Sequence, residues 1–180
     1  MKFREFLKEN MVYLDGGMGT LLQERGLKPG EYPERWNITH SDVITEIHRA
    51  YYCAGSNVVS TNTFGANVLK FTEEELDTIV KAAVGNAYAA KASVEEDVPR
   101  FVALDIGPTG KLLKPLGDLD FEDAVEVFAK TIRLGVKYGV DLIFIETMND
   151  SYETKRLCWR LRKTVTCLFW FPTPMGRMAS

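Results

Sequence analysis

Four groups of residues in this chain are of types that could bind or transform a small polar molecule, and each follows a short apolar run. Asp15 comes after Val12-Tyr13-Leu14 and is followed at once by Gly16 and Gly17. Thr61, Asn62 and Thr63 follow Asn57-Val58-Val59-Ser60, Asp105 follows Phe101-Val102-Ala103-Leu104, and Glu146 follows Leu142-Ile143-Phe144-Ile145. A carboxylate can pair with an ammonium or hold a loop, and small amides and hydroxyls supply neutral hydrogen bonds. Paired glycines let a ligand come close to main-chain N–H groups. In parallel α/β folds, the C-terminal ends of the strands are where ligands bind. D-G-G-x-G-T taken alone fits a tight strand-to-helix turn equally well.

The apolar runs alternate with helical patterns. Lys2 to Glu9 sets Phe3, Phe6 and Leu7 on one face and predicts a leading amphipathic helix that caps the bottom of the fold. Asp42 to Ala54 places Ile44, Ile47, His48 and Tyr51 on one side and stops at Gly55. No second ligand stands at helical spacing from His48, so a packing role is expected for it. Thr72-Glu73-Glu74-Glu75 reads as a capping box, with Glu75 reaching back, at the head of a helix running to about Val94. Asp120 caps a helix through Val125, Phe128, Ile132 and Val136 that Gly139 ends, and Asp150 with Glu153 opens another. Four strand–helix units in series imply a parallel sheet. A doubly wound sheet would carry G-x-G-x-x-G after its first strand, and Gly17-Met18-Gly19-Thr20 is only a fragment of that. Polar groups at every strand exit favour a (β/α)8 barrel.

Composition narrows the function classes. The chain has 180 residues, 46% hydrophobic and 26% charged, enough for one sizeable core. A net charge of −3, with basic residues scattered among acids, gives no support for a nucleic-acid partner. No apolar run approaches the roughly 18 residues of a membrane span, and the first residues do not read as a secretory signal. Three cysteines, Cys53, Cys158 and Cys167, without C-x-x-C spacing, point away from a disulfide framework and towards the cytoplasm. Cys53, inside a helix, is expected to be a packed thiol.

Four stretches occur together and in order: D-G-G-M-G-T at Asp15 to Thr20, T-N-T-F-G-A-N at Thr61 to Asn67, D-I-G-P-T-G at Asp105 to Gly110, and I-E-T-M-N-D at Ile145 to Asp150. On these motifs the chain resembles the homocysteine S-methyltransferase family, and within it the homocysteine-binding module of the cobalamin-dependent methionine synthases. The resemblance covers residues 1 to about 155. It implies a (β/α)8 barrel with homocysteine over its C-terminal mouth and a zinc ion that turns the thiol into a thiolate. It also implies a methyl group supplied by methylcobalamin and methyltetrahydrofolate on other modules. It suggests Glu146 and Asp15 for the substrate ammonium, Gly16 and Gly17 N–H groups for its carboxylate, and Asn62 and Thr63 for neutral hydrogen bonds.

The chain departs from the family in two ways. The family's zinc cysteines follow later strands, and a full barrel needs about 250 residues, so only the first four to five units are expected here and no zinc ligand can be named. Residues 1–155 are therefore expected to form the N-terminal half of a homocysteine-binding barrel and 156–180 an aberrant tail. In that tail periodicity gives way to Trp, Cys and Pro. Shifting its back-translated codons by one base permits A-A-(L/M)-L-A-V-K-E-N-S-D-L-P-V-L-V-S-N-A-Y, a helix followed by a buried strand. This predicts a base lost near the codons of Lys155 and Arg156. The expectations for the chain as written are an open apolar surface where the barrel interior should be, unpaired edges at strands one and four, and no methyltransferase activity. Cys167 to Phe171 could serve as a makeshift strand. Two other readings stay open, a non-catalytic remnant and an unrelated barrel enzyme acting on a small acid.

Overall fold

The computed structural model describes residues 2–95 and 98–148 in full and the backbone of 168–170. The helix expected from Asp150, and Cys158 and Cys167, lie outside the described residues.

Helix α1 (Phe3–Glu9) opens the chain. The run Val12 to Leu14 is less than a strand. One parallel bridge joins Leu14 to Val58, and Tyr13 O accepts from the N–H groups of Asn57 and Val58. Tyr13 is exposed, and the run has a hydrogen-bonded neighbour on one side only among the described residues. Helix α2 (Met18–Glu24), a 3-10 turn (Pro33–Arg35), α3 (Trp36–Thr39) and α4 (Ser41–Cys53) precede strand β1 (Val58–Ser60). Then come α5 (Glu73–Ala92), β2 (Phe101–Ile106), α6 (Phe121–Lys137), β3 (Leu142–Ile145) and β4 (Leu168–Trp170).

The strands are parallel and stand in chain order, β1-β2-β3-β4. Because every step moves the same way across the sheet, right-handed crossovers put α5 and α6 on one face. A doubly wound sheet would reverse its order partway and load both faces. The helix-covered face presents Val59, Val102, Leu104, Ile143 and Ile145 to Ile79, Val84, Phe128 and Ile132. Alternate residues Val58, Phe101, Ala103, Leu142 and Phe144 form the other face, and α1 lays Phe3 and Phe6 on it. The rings of Phe3 and Phe6 lie 5.1 and 5.5 Å from that of Phe101. The open apolar surface expected there is absent, because these residues are buried, with α1 against them. Burial on both faces is why the strands read as continuous apolar runs. Strand β3 is not an edge either: Leu142, Ile143 and Phe144 pair with Leu168, Phe169 and Trp170, within the stretch expected to act as a makeshift strand.

The helix signals hold with local differences. Thr72 Oγ1 accepts from Glu75 N–H at 3.2 Å, but the Glu75 carboxylate accepts from Arg35 at 2.9 Å rather than reaching back. Asp120 stands at the N-cap of α6, with its carboxylate drawn off to Lys114 at 2.7 Å. Gly139, at φ +86°, supplies the left-handed residue that ends α6. His48 is fully buried in α4, and burial pushes its imidazole down to about 4, so it packs as a neutral ring. Cys53 is exposed rather than packed, because Tyr52, one position earlier on α4, takes the inward direction. Among the described residues no helix is long and apolar enough to cross a membrane.

Candidate functional site

The strand ends and the loops after them enclose a cavity of about 580 Å³, whose wall includes Asp15, Gly16, Gly17, Asn62 and Glu146. Five of the six residues singled out by sequence thus meet in one place. The sixth, Thr63, is fully buried and not part of the wall. Its hydroxyl donates to Asp105 O at 2.8 Å and lies 2.8 Å from Thr61 Oγ1, so it is consumed in holding β2 to the loop after β1.

Two further carboxyls line the cavity that sequence reasoning did not carry into the site. Asp105 lies within β2 rather than after it, beside Phe144 in register and on the face of Ala103. Its apolar run and acid were visible in the sequence; its inward aim depends on the strand continuing to Ile106. Glu34 comes from the irregular stretch between Gly26 and Trp36, where no periodicity announces a site residue. Its Oε1 accepts from Gly65 N–H at 2.8 Å, while Oε2 is buried without a hydrogen-bond partner among the described residues.

The irregular stretch is fixed by amides. Asn62 Nδ2 donates to Pro33 O at 2.7 Å, and Asn37 Nδ2 donates to Glu34 O at 2.8 Å and Asn62 O at 2.7 Å. Asn86 Nδ2, from α5, donates to Asn37 O at 2.9 Å. Buried main-chain groups in a loop need such partners, and here they set the Glu34 wall against the exit of β1. Two glycines permit close approaches. A Cβ at Gly16 would lie 2.9 Å from Tyr51 Oη, which itself donates to Gly17 O at 3.3 Å. A Cβ at Gly107 would lie 2.5 Å from the Phe64 ring, which also lines the cavity.

The electrostatics are one-sided: Asp15, Glu34, Asp105 and Glu146 line the cavity, and among the described lining residues there is no Lys, Arg or His. Asp15 is the best satisfied, with Oδ2 accepting from Ser60 N–H at 2.7 Å and Oδ1 from Ser60 Oγ at 3.1 Å. Burial nevertheless pushes its carboxyl up to about 6, with a smaller push from Glu146. Burial, then the charges of Glu146 and Asp15, holds Asp105 well above the usual carboxylate range. Burial also raises Glu146. Such an arrangement calls for a ligand that brings positive charge or takes a proton. Among the described residues no three His, Cys, Asp or Glu side chains are grouped to hold a metal ion.

The homocysteine S-methyltransferase family model matches residues 12–175. Among solved structures, the oxidised form of the homocysteine methyltransferase MmuM from Escherichia coli superimposes with a TM-score of 0.81 at 21% identity, covering 96% of this chain and 65% of that one. Its metallated form gives 0.80 at 21% identity over 96% and 66%. Its apo form gives 0.76 at 22% identity over 95% and 63%. The chain therefore spans about two thirds of the length of the structures it matches, and the likeness is one of fold.

Proposed function

The chain belongs to the homocysteine S-methyltransferase family, and from that premise we propose that its cavity binds homocysteine as the acceptor of a methyl group. The observation that carries this reading is the acidic wall, without a cation among its described residues, beside the exposed Gly16-Gly17 turn. A zwitterionic amino acid suits such a site. Its ammonium makes charge-assisted hydrogen bonds with Glu146 and Asp15, and its carboxylate takes the main-chain N–H groups of Gly16 and Gly17. Asn62 keeps the loop in place as part of the polar wall, and Thr63 acts from below through Asp105.

A free thiol is mostly protonated near neutral pH, and in the family a zinc ion supplies the thiolate. The described residues do not fit that ion: they contain no group of three suitable side chains, and Cys53 is exposed and does not line the cavity. No activation step is assigned to them. In this reading residues 1–155 are the first four to five units of a (β/α)8 barrel, a substrate-holding half, and 156–180 follow a frame change that resequencing tests. Methylcobalamin and methyltetrahydrofolate act from other modules of a methionine-synthase-type protein, and the 180-residue chain does not transfer a methyl group by itself.

Calorimetric titration of the chain with L-homocysteine tests the core of the reading. Binding is expected, and Glu146→Gln is expected to weaken it by about 1–3 kcal/mol, the effect of neutralising a charged hydrogen-bond partner. No heat of binding, or unchanged affinity in the variant, refutes the proposed site. Turnover of homocysteine by the chain alone would refute its assignment as a non-catalytic half.

A further inference from the structure

We propose that Asp105 is a substrate-contacting residue of this cavity, carrying a proton when the cavity is empty and exchanging it for the ammonium of the bound ligand. The inference rests on the homocysteine reading above and adds to it a residue and a proton.

The geometry comes first. Asp105 is more than nine-tenths buried, 8% exposed, and lines the cavity from the inner face of β2. Its Oδ1 has no hydrogen-bond partner among the described residues. Asp15, by contrast, already accepts from Ser60 through both oxygens. A buried carboxyl oxygen without a partner is costly unless the group is neutral or a ligand satisfies it. The surroundings forbid full ionisation. Glu146 follows β3, Asp15 follows Leu14, and Glu34 comes from the 3-10 turn, all on the same wall. From the end of β1 and the loop after it, the neighbours are Ser60 and Thr61, which carry no charge. Lys70 comes near Glu34 Oε1, since a Cβ at Gly65 would touch both, but it does not line the cavity. Burial and the like charges of Glu146 and Asp15 raise Asp105 in agreement with this.

The exchange balances. The empty site holds Asp105 as the carboxylic acid. On binding, its O–H proton leaves to solvent, the carboxylate remains, and the ligand's R-NH3⁺ donates to the freed oxygens. The charge of the filled cavity is then offset within the site. Ligand affinity must therefore rise with pH, by up to about tenfold per pH unit while the proton still has to be displaced.

Calorimetry of the full 180-residue chain with L-homocysteine at pH 7, in buffers of different ionisation enthalpy, reads the proton count directly. The expected result is release of about one proton per ligand, with little release from Asp105→Asn, and weaker binding by that variant. Should Asp105→Asn fail to fold, difference infrared spectroscopy on the unsubstituted chain decides: the protonated carboxyl C=O band must be lost when homocysteine is added. Binding without proton release, release retained in Asp105→Asn, or an unchanged carboxyl band overturns the inference while leaving the homocysteine reading intact. Absence of any binding removes both.

Discussion

Replacing Asp15 by Asn is expected to make the fold more stable at neutral pH while weakening its ligand site. Burial raises this carboxyl from 3.8 to about 6 although both its oxygens accept from Ser60. At about 1.36 kcal/mol per pH unit, keeping it charged in the fold costs about 3 kcal/mol relative to the unfolded chain. The sign follows from proton counting. An acid whose folded pKa lies above its unfolded one binds more protons in the fold between the two values. Stability therefore falls as pH rises from about 4 to about 6, and is level above that. Asn keeps the staple, because its Oδ1 accepts from Ser60 N–H and its amide donates to Ser60 Oγ, and it carries no charge to desolvate. The expected gain is about 1–3 kcal/mol at pH 7, shrinking to nothing below pH ~4. That is large against the roughly 5–15 kcal/mol of an ordinary domain. Urea unfolding of both proteins between pH 4 and 7.5, with equal slopes, measures it. A stability difference that does not change with pH, or an Asp15→Asn chain less stable at pH 7 than its parent, would refute the reasoning.

Three other substitutions probe separate parts of the molecule. Gly107→Ala sets a methyl group 2.5 Å from the Phe64 ring; Phe64 must move out of the cavity wall, and titration should show weakened homocysteine binding with a stability loss of about 1–3 kcal/mol. Gly135→Ala meets Leu104 Cδ2 at 2.5 Å where α6 crosses β2; urea unfolding should show a comparable loss, with ligand affinity unchanged because the contact is on the helix-covered face. Asn37→Ala removes the donor to Glu34 O and Asn62 O; each buried carbonyl left bare costs about 1–3 kcal/mol, and hydrogen exchange at Gly65 N–H should accelerate as the Glu34 wall loosens.

The alternation of apolar runs and helical faces was enough to imply a parallel α/β sheet, because burial on both faces leaves each strand uninterrupted by polar residues. The motifs at Asp15, Thr61, Asp105 and Ile145 pointed to the family, since turn glycines and strand-end acids are local features that survive in a linear reading. Local signals also placed α1, α4, α5 and α6, and Gly139 as the stop of α6, although the side chains of Glu75 and Asp120 found partners other than those local rules assign. What the linear reading could not supply was direction and distance. Whether Asp105 ends β2 or sits inside it changes which face its carboxyl takes, and one more turn of pleat decides that. Thr63 and Asn62 are neighbours in sequence, yet one closes a buried bond to β2 and the other lines the cavity. Glu34 lies in a stretch without periodicity, and hydrogen bonds from the amides of Asn62 and Asn37, with that from Gly65 N–H, hold its carboxyl on the same wall as Asp105 and Glu146. The acidic character of the site is likewise a tertiary property. Charges scattered along a chain of near-neutral composition become one field only when folding sets them around a shared cavity.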